Sequence, residues 1–395
     1  MTLSRLALWT GLGSGLEYYA FISFALQAKV IGLLFFHQSA TALVNTFLIF
    51  AVGSLVTLCG GFFLGWLGDH YGRKKILLLS ISLMTFSTVA IGLLPTSLPF
   101  GLSIALLALC RIAQGASVGG EIPGAIVFVY EHAEQKQIGF LLGLLFLGVG
   151  LGAGISTGVN AALADYFTPE QILHFAWRIP FLLALFLGIA GYYLRRNSLE
   201  SALFLQRPRE KAPLHLRPLV QAVGFVFFPA ILVSVGLYLP SYWMINSHQN
   251  NTHIFMAMML GFLATAFLLP LFGHLGDYWN RKKLYLCGLV LSLLCLPLLM
   301  HLLALDSLWG LYGFNLLYYG LIVIMASCYP AILAGLFPVQ IRYRLVALSY
   351  AGTYALAGIA PFLLSLLMHH WNHPSTLLYF LLMTGALGLI TTGGL

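Results

Sequence analysis

Long apolar runs recur along the whole chain and are separated by short polar stretches. Twelve of these runs are about 20 residues long, the length that an α-helix needs to cross ~30 Å of hydrocarbon. Because backbone groups in lipid must be hydrogen-bonded within their own segment, the pattern predicts twelve transmembrane helices, which we call span 1 to span 12. The predicted spans cover residues 7–34, 40–67, 76–95, 100–130, 138–163, 177–195, 218–243, 253–275, 284–303, 308–337, 345–368 and 375–394.

The longest polar stretch lies in the middle of the chain, from Arg195 to Pro218. It separates six spans from six, so we expect a first bundle over residues 1–194, a linker over 195–217 and a second bundle over 218–395. The apolar stretch after Arg5 contains Glu17 and is not followed by a small-residue cleavage site, which predicts a retained first span instead of a signal peptide.

Composition and charge support a membrane protein with a defined orientation. The chain is 60% hydrophobic and 8% charged, which excludes the surface of a soluble globular protein. All of its 19 Lys and Arg residues except Lys29, Arg111 and Arg178 fall on one side of the predicted topology, so that side is predicted to be cytoplasmic and to hold both chain termini. We therefore expect a protein of a bacterial inner (plasma) membrane. The net charge of +8 reflects topology, and no nucleic-acid partner is expected.

One charged phrase occurs twice, at equivalent places in the two halves. "GWLGDHYGRKK" runs from Gly65 to Lys75 after span 2, and "GHLGDYWNRKK" runs from Gly273 to Lys283 after span 8. The repeat indicates an internal duplication. An Asp at a helix end can bind the N-terminus of a helix in the opposite half and a nearby Arg. This predicts a cytoplasmic gate; the alternative is that the phrase only sets topology and shapes the hairpin. The gate residues would be Asp69, Arg73, Asp277 and Arg281.

Three charges lie deep within predicted spans, where an ionisable group is costly unless it faces a partner or water: Glu17, Arg111 and Glu121. On span 4, helical spacing places Arg111, Gln114, Val118 and Glu121 on one stripe, which we expect to line a cavity. A guanidinium there could bind a carboxylate of the substrate or of Glu17. The alternative is a structural Arg bound to backbone carbonyls.

The second half offers hydroxyls and an amide instead of charges. Tyr238 and Tyr242 lie one turn apart on span 7, and Asn315 and Tyr319 lie one turn apart on span 10. Such groups orient a polar ligand, so we predict that they bind substrate together with Arg111, Gln114 and Tyr18. For Tyr242 the alternative is a place in the aromatic belt at the membrane interface.

Several stretches resemble one family of transporters. The repeated loop is similar to the signature loop of the major facilitator superfamily. Other stretches resemble the metabolite:proton symporter family, which includes permeases for osmolytes and for organic acids such as 2-oxoglutarate, citrate and shikimate. They are "GLEYYAF" (from Gly15), "RIAQGASVGGE" (from Arg111), "WRIPFLL" (from Trp177), "YLPSYW" (from Tyr238) and "LFPVQIRYRLVALSY" (from Leu336).

The resemblance implies an all-α membrane protein with twelve helices in two pseudo-symmetric bundles of six, working by alternating access. It implies proton-coupled import of a small polar metabolite, for which we expect an organic acid. The family usually has an Asp where this chain has Ala20, so proton coupling is expected to fall to Glu17 or Glu121. The alternatives are a uniporter, or an exporter or antiporter, on the same fold.

Other classes of function find less support. An enzyme would need a nucleophile with its base, or a metal cluster, within a span, and we identify neither. A receptor that does not transport would be expected to lack the paired loops and embedded charges. The five Cys lie within spans and predict no disulfide framework. We expect a monomer in the lipid bilayer whose partners are substrate and proton, without cofactor or metal.

Overall fold

The computed structural model of the chain describes residues 2–36, 40–71, 73–196, 216–371, 373 and 375–393, and for residues 68–70, 73, 74, 194, 195 and 393 it describes the backbone alone. Within these ranges the secondary structure is helical. The helices confirm the twelve predicted spans to within a few residues, if each bent helix pair is counted as one span.

The helices of the first half comprise the two parts of span 1 and spans 2 to 6. They are Leu3–Leu26 with Ala28–Phe35, Ala42–Tyr71, Arg73–Leu93, Phe100–His132, Ile138–Tyr166 and Ile179–Arg196. In the second half, spans 7 to 12 are Leu216–Asn246, Asn251–Tyr278, Arg281–Leu294 with Leu296–Ala304, Leu308–Gly335, Arg342–Ala357 with Ala360–Trp371, and Ser375–Gly393. Most of the predicted linker lies outside the described residues.

Two spans bend where a helix is interrupted. Span 1 turns by 55° at Gln27, and span 9 turns by 42° at Cys295. A proline at the start of the second part of span 9, Pro297, accounts for that break because it lacks a backbone N–H donor. The outer part of span 1, Ala28–Phe35, therefore takes its own direction.

A short outer helix, Pro169–His174, precedes span 6 and was not predicted. Thr168 and Gln171 cap its first turn by exchanging hydrogen bonds between side chain and backbone. Backbone and Thr168 hydrogen bonds lower the pKa of the exposed Glu170 carboxyl in this turn.

Span 5 packs along span 8, and span 2 packs along span 11, so both pairs join the two halves. Glycines allow the close approach: a Cβ on Gly139 of span 5 would lie 2.2 Å from the carbonyl oxygen of Gly273 on span 8. A Cβ on Gly61 of span 2 would likewise lie 2.8 Å from the Cβ of Ala351 on span 11. Spans 1, 2, 4, 7 and 11 surround a central space between the halves.

Candidate functional site

A cavity lies between the two halves and is lined by side chains of both. Spans 1, 2 and 4 of the first half and spans 7 and 11 of the second supply its walls. None of the described residues that line it is charged. They are Tyr18, Phe21, Phe50, Ser54, Thr57, Val118, Ile122, Val233, Ser234, Leu237, Tyr350, Tyr354 and Gly358.

Arg111 lies fully buried behind this aromatic wall and does not line the cavity. The rings of Phe21, Phe24 and Phe50 stand 4.8, 4.6 and 4.6 Å from its guanidinium carbon. Its Nη1 donates to Gln114 Oε1 at 2.6 Å and to the Phe21 carbonyl at 3.3 Å. Among the described residues its Nε and Nη2 have no hydrogen-bond partner. The guanidinium is therefore held by aromatic faces, with two of its nitrogens still able to donate.

The polar stripe predicted on span 4 does not face the cavity as a unit. Gln114 donates to Thr88 of span 3 at 2.7 Å, and Glu121 lies among serines of spans 1 and 3. The cavity wall on span 4 is Val118 with Ile122. The physical reason is that the polar side chains of span 4 are satisfied by hydrogen bonds inside the first bundle.

The two embedded glutamates share a buried polar cluster between spans 1, 3 and 4. Glu17 contacts the Ser117 hydroxyl through its Oε1, and Ser117 Oγ also lies 2.6 Å from the carbonyl oxygen of Ser80. Glu121 accepts from Ser14 at 2.9 Å and from Ser80 at 3.0 Å. All five side chains are at most 2% exposed. The structure thus brings Glu17 and Glu121 into one cluster, through serines that the sequence did not single out.

The predicted second-half residues lie around the cavity but outside its lining. Tyr238 of span 7 packs against Phe47 of span 2 and against Tyr242. Asn315 and Tyr319 of span 10 pack beside Gly261 of span 8. Among the described residues, Asn315 Oδ1 and the Tyr319 hydroxyl have no hydrogen-bond partner.

Three tyrosines near the cavity were not anticipated. Tyr350 and Tyr354 of span 11 stack at 4.5 Å and line it. Tyr329 of span 10 packs beside Tyr350, with ring centroids 6.4 Å apart. Tyr350 and Tyr354 have i, i+4 spacing, the same signal that singled out Asn315 and Tyr319, so the sequence could have shown them.

At the predicted cytoplasmic side, Asp277 of span 8 binds the N-terminus of span 5 in the opposite half. Its Oδ1 accepts from the Gly139 backbone N–H at 2.7 Å and its Oδ2 from that of Phe140 at 3.0 Å. Arg281 donates to the same carboxylate at 2.6 Å. The contacts are those predicted for the gate residues, since the Asp binds a helix start in the opposite half and an Arg of its own half. The side chains of Asp69 and Arg73 lie outside the described residues.

Two further contacts join the halves at this side. Arg342 of span 11 forms an ion pair with Glu131 of span 4 at 3.3 Å, and its guanidinium stands over the Tyr130 ring. The Tyr343 hydroxyl donates to the Gly120 carbonyl at 2.9 Å. Sequence reasoning missed them, although Glu131, near the end of span 4, was a visible acidic residue.

At the predicted outer side, Lys29 donates to the carbonyl oxygen of Met244 at 2.9 Å and joins span 1 to span 7. Lys29 lies just after the bend at Gln27. The bend thus brings the outer part of span 1 to the second half.

Comparisons with known proteins agree with this architecture. The sequence profile of the Major Facilitator Superfamily matches residues 11–261 and 245–393. The chain is 32% identical over 410 residues to a proline/betaine transporter of Salmonella typhimurium, covering 96% of this chain and 81% of that protein. It is 32% identical over 412 residues to the glycine betaine/proline/ectoine/pipecolic acid transporter OusA of Dickeya dadantii, covering 96% and 80%.

Solved structures show the same fold at low sequence identity. A D-xylose-proton symporter aligns with a TM-score of 0.76 at 17% identity, covering 98% of this chain and 95% of that one. A proton:xylose symporter bound to 6-bromo-6-deoxy-D-glucose aligns with a TM-score of 0.80 at 16% identity, covering 99% and 94%.

Proposed function

The chain belongs to the major facilitator superfamily and is a secondary transporter, and we propose that it imports a small zwitterionic osmolyte together with protons. The central cavity would open alternately to the two sides of the membrane. The sequence relatives named above transport proline and betaines, and OusA is also named for ectoine and pipecolic acid. The proposal therefore replaces the organic acid expected from the sequence by a zwitterion.

The main support for this proposal is that the described residues lining the cavity are uncharged and several are aromatic. Burying an unpaired charge is costly, so a dicarboxylate or tricarboxylate would need cationic side chains in the wall. A zwitterion has no net charge, and its ammonium group gains from aromatic faces. Tyr18, Tyr350 and Tyr354 supply such faces at the interface of the two halves.

The carboxylate end of the substrate would bind Arg111. Phe21 and Phe50 line the cavity and also stand over the guanidinium, so these two rings separate the cavity from it. We propose that they rotate when substrate enters, and that the carboxylate then accepts hydrogen bonds from Nε and Nη2. A bound zwitterion would thus span from Arg111 to the tyrosines of span 11.

Uptake by purified protein in proteoliposomes tests the proposal. Radiolabelled proline, glycine betaine, 2-oxoglutarate and citrate are compared with and without an imposed inward proton gradient. We expect accumulation of the zwitterions only, and only with the gradient. Accumulation of the organic acids would contradict the substrate assignment, and uptake that ignores the gradient would contradict proton coupling and indicate a uniporter.

The tyrosine cage can be tested separately with thermal-shift titrations. A cation–π contact contributes about 0.5 to 2 kcal/mol, so Tyr354→Leu should weaken glycine betaine binding by roughly 2- to 30-fold, while Tyr354→Phe should largely retain it. Tyr379→Leu on span 12 is the control, because Tyr379 is exposed. Equal affinity of Tyr354→Leu and the wild type would exclude this ring from the site.

A further inference from the structure

Span 11 is interrupted beside the cavity. Its first helix ends at Ala357, and its second begins after Gly358 and Ile359. The Gly358 N–H donates to the Tyr354 carbonyl at 2.8 Å, four residues back. The Ile359 N–H donates to the Leu356 carbonyl at 3.1 Å, only three residues back. This tightening is typical of a helix end, so the first helix has a true C-terminus within the membrane.

Pro361 accounts for the interruption and leaves one carbonyl without its usual donor. In a continuous helix the N–H of residue 361 would donate to the carbonyl oxygen of Ala357, but proline has no N–H. In the part of the chain that the structure describes, no other backbone or side-chain group donates to that oxygen. Ala357 is fully buried. A buried carbonyl without a partner is costly, so this oxygen favours a donor that enters from the cavity.

The unpaired carbonyl lies on the cavity face of span 11. At ~100° per residue, four residues fall on one stripe of the helix: Tyr350, Tyr354, Ala357 and Pro361. Of these, Tyr350 and Tyr354 line the cavity, and so does Gly358. A helical carbonyl points along the axis towards residue i+4, so the Ala357 oxygen lies on this stripe towards Pro361. The interruption therefore presents the C-terminal end of a helix to the cavity.

The opposite wall leaves this helix end to a ligand. Ser54 of span 2 packs so closely on Gly358 that a Cβ there would lie 2.4 Å from its hydroxyl oxygen. Glycine thus keeps the backbone itself at the cavity wall. The Ser54 hydroxyl donates to the Phe50 carbonyl of its own helix at 3.0 Å. Since a serine hydroxyl has one hydrogen, Ser54 does not donate to span 11 in this structure.

We propose that the interrupted end of this helix binds the ammonium group of the substrate through the Ala357 carbonyl oxygen. A helix C-terminus carries a partial negative charge and favours cations. The Tyr354 ring lies one turn before it, so a cationic group meets an aromatic face and a carbonyl oxygen together. The inference rests on the proposed zwitterionic substrate and adds a direct hydrogen bond to its ammonium group.

This site would distinguish two kinds of zwitterion. The ammonium group of proline carries N–H donors, and one of them can bind the Ala357 carbonyl while the ring faces the tyrosines. A quaternary ammonium, as in a betaine, has no N–H and gains from the aromatic faces and from charge alone. We therefore expect the interruption of span 11 to contribute more to the affinity for proline than to the affinity for a betaine.

Calorimetric titration of the purified protein with a matched ligand series tests the proposal. Proline, N-methylproline and N,N-dimethylproline share a ring and a carboxylate, but their cationic nitrogens carry two, one and no N–H donors. Pro361→Ala restores an N–H that can pair with the Ala357 carbonyl. Because the lost bond is one to a charged group, this variant should bind proline roughly 10- to 150-fold more weakly. N-methylproline should follow proline, and N,N-dimethylproline should bind nearly as in the wild type.

Pro330→Ala is the matched control, because Pro330 is a buried proline within span 10, which supplies none of the described lining residues. It should keep the wild-type ratio of the affinities for proline and N,N-dimethylproline. A second variant, Pro361→Gly, supplies the same N–H without a side chain and should change the ratio as Pro361→Ala does. Retained binding of N,N-dimethylproline shows for each variant that the rest of the site is intact.

Equal weakening of both ligands in the two Pro361 variants would overturn the proposal, because Pro361 would then shape the whole site. Wild-type affinity for both ligands would overturn it too. In these two cases the wild type still binds zwitterions, and the proposed substrate class stands. If the wild type binds none of the three ligands, the substrate class fails and the proposal fails with it.

Discussion

Neighbouring helices bring two identical side chains, Glu17 and Glu121, into one buried polar cluster. Both are at most 2% exposed; Glu17 contacts Ser117, and Glu121 accepts hydrogen bonds from Ser14 and Ser80. Hydrogen-bond partners affect how readily a buried carboxyl group gains or loses a proton, so each glutamate is a separate candidate for the coupled proton. Substitution of Glu17 tests the first of these candidates.

Glu17→Gln should abolish accumulation driven by a proton gradient but retain exchange of substrate across the membrane. The amide keeps a polar group in contact with Ser117 but cannot release a proton. Uptake and counterflow in proteoliposomes, each with and without a pH gradient, measure the two activities. Arg111→Ala is the comparison and should impair both, because it removes the proposed partner of the substrate carboxylate. Accumulation by Glu17→Gln at the wild-type rate would show that the coupled proton binds elsewhere.

At the scale of helices, the contact between Asp277 and span 5 should control gating. The Asp277 carboxylate caps a helix start in the opposite half, where anions are favoured, and hydrogen bonds to a charged group contribute about 1.5 to 3 kcal/mol. We expect Asp277→Asn to shift the population away from the closed cytoplasmic side by roughly 10- to 150-fold and to slow transport without changing affinity.

Distances between spin labels on spans 5 and 8, together with uptake rates, measure this effect. Lys283→Gln is the control in the same loop, since Lys283 is exposed. The sequence predicts a larger effect for Asp69→Asn, and both variants belong in the experiment. Unchanged distances and rates in Asp277→Asn would mean that the loop only shapes the hairpin.

The close approach of spans 5 and 8 depends on glycine. A Cβ on Gly273 would lie 2.2 Å from the Gly139 carbonyl oxygen, so Gly273→Ala should push the two helices apart. Overpacking of this kind costs about 1 to 3 kcal/mol, and we expect a lower melting temperature and a longer distance between the helices. Gly320→Ala is the matched control, because nothing lies within 4 Å of a Cβ there. Equal melting temperatures of the two variants would contradict this packing.

The spans could be predicted from the sequence, but the direction of each side chain could not. Hydropathy sets where a helix can cross the membrane, so span limits agree within a few residues. In lipid both faces of a helix are apolar, so no polar face marks the side that meets solvent. Tyr238 and Tyr350 therefore look alike in sequence, and only Tyr350 lines the cavity. The contact of Asp277 could be predicted because its motif occurs in both halves and because a carboxylate favours a helix N-terminus.

At the scale of the whole molecule, the interface between the two halves is held by different types of interaction at its two ends. The predicted cytoplasmic end has the Asp277 cap on span 5 and the ion pair of Glu131 with Arg342. The predicted outer end has the Lys29 bond to a carbonyl and the packing of Phe47 on Tyr238. Charge-assisted bonds are the stronger kind, so we infer that this conformation is held mainly at the cytoplasmic end.

Removing those bonds should make the cavity accessible from the cytoplasmic side instead of the outer side. In a background without the five native Cys, Val118→Cys places a thiol on the cavity wall. We expect an impermeant thiol reagent to label it faster from outside in otherwise wild-type protein, and faster from inside once Asp277→Asn and Arg342→Gln are added. Both substitutions remove charge at one end and leave the Lys29 contact intact, so the outer end becomes the more strongly joined. Labelling rates in right-side-out and inside-out vesicles give the comparison, and Lys283→Gln again serves as the control. If the double variant is still labelled faster from outside, these two contacts do not set the resting conformation. Faster labelling from inside in the parent protein would mean that the predicted orientation or the closed end is wrong.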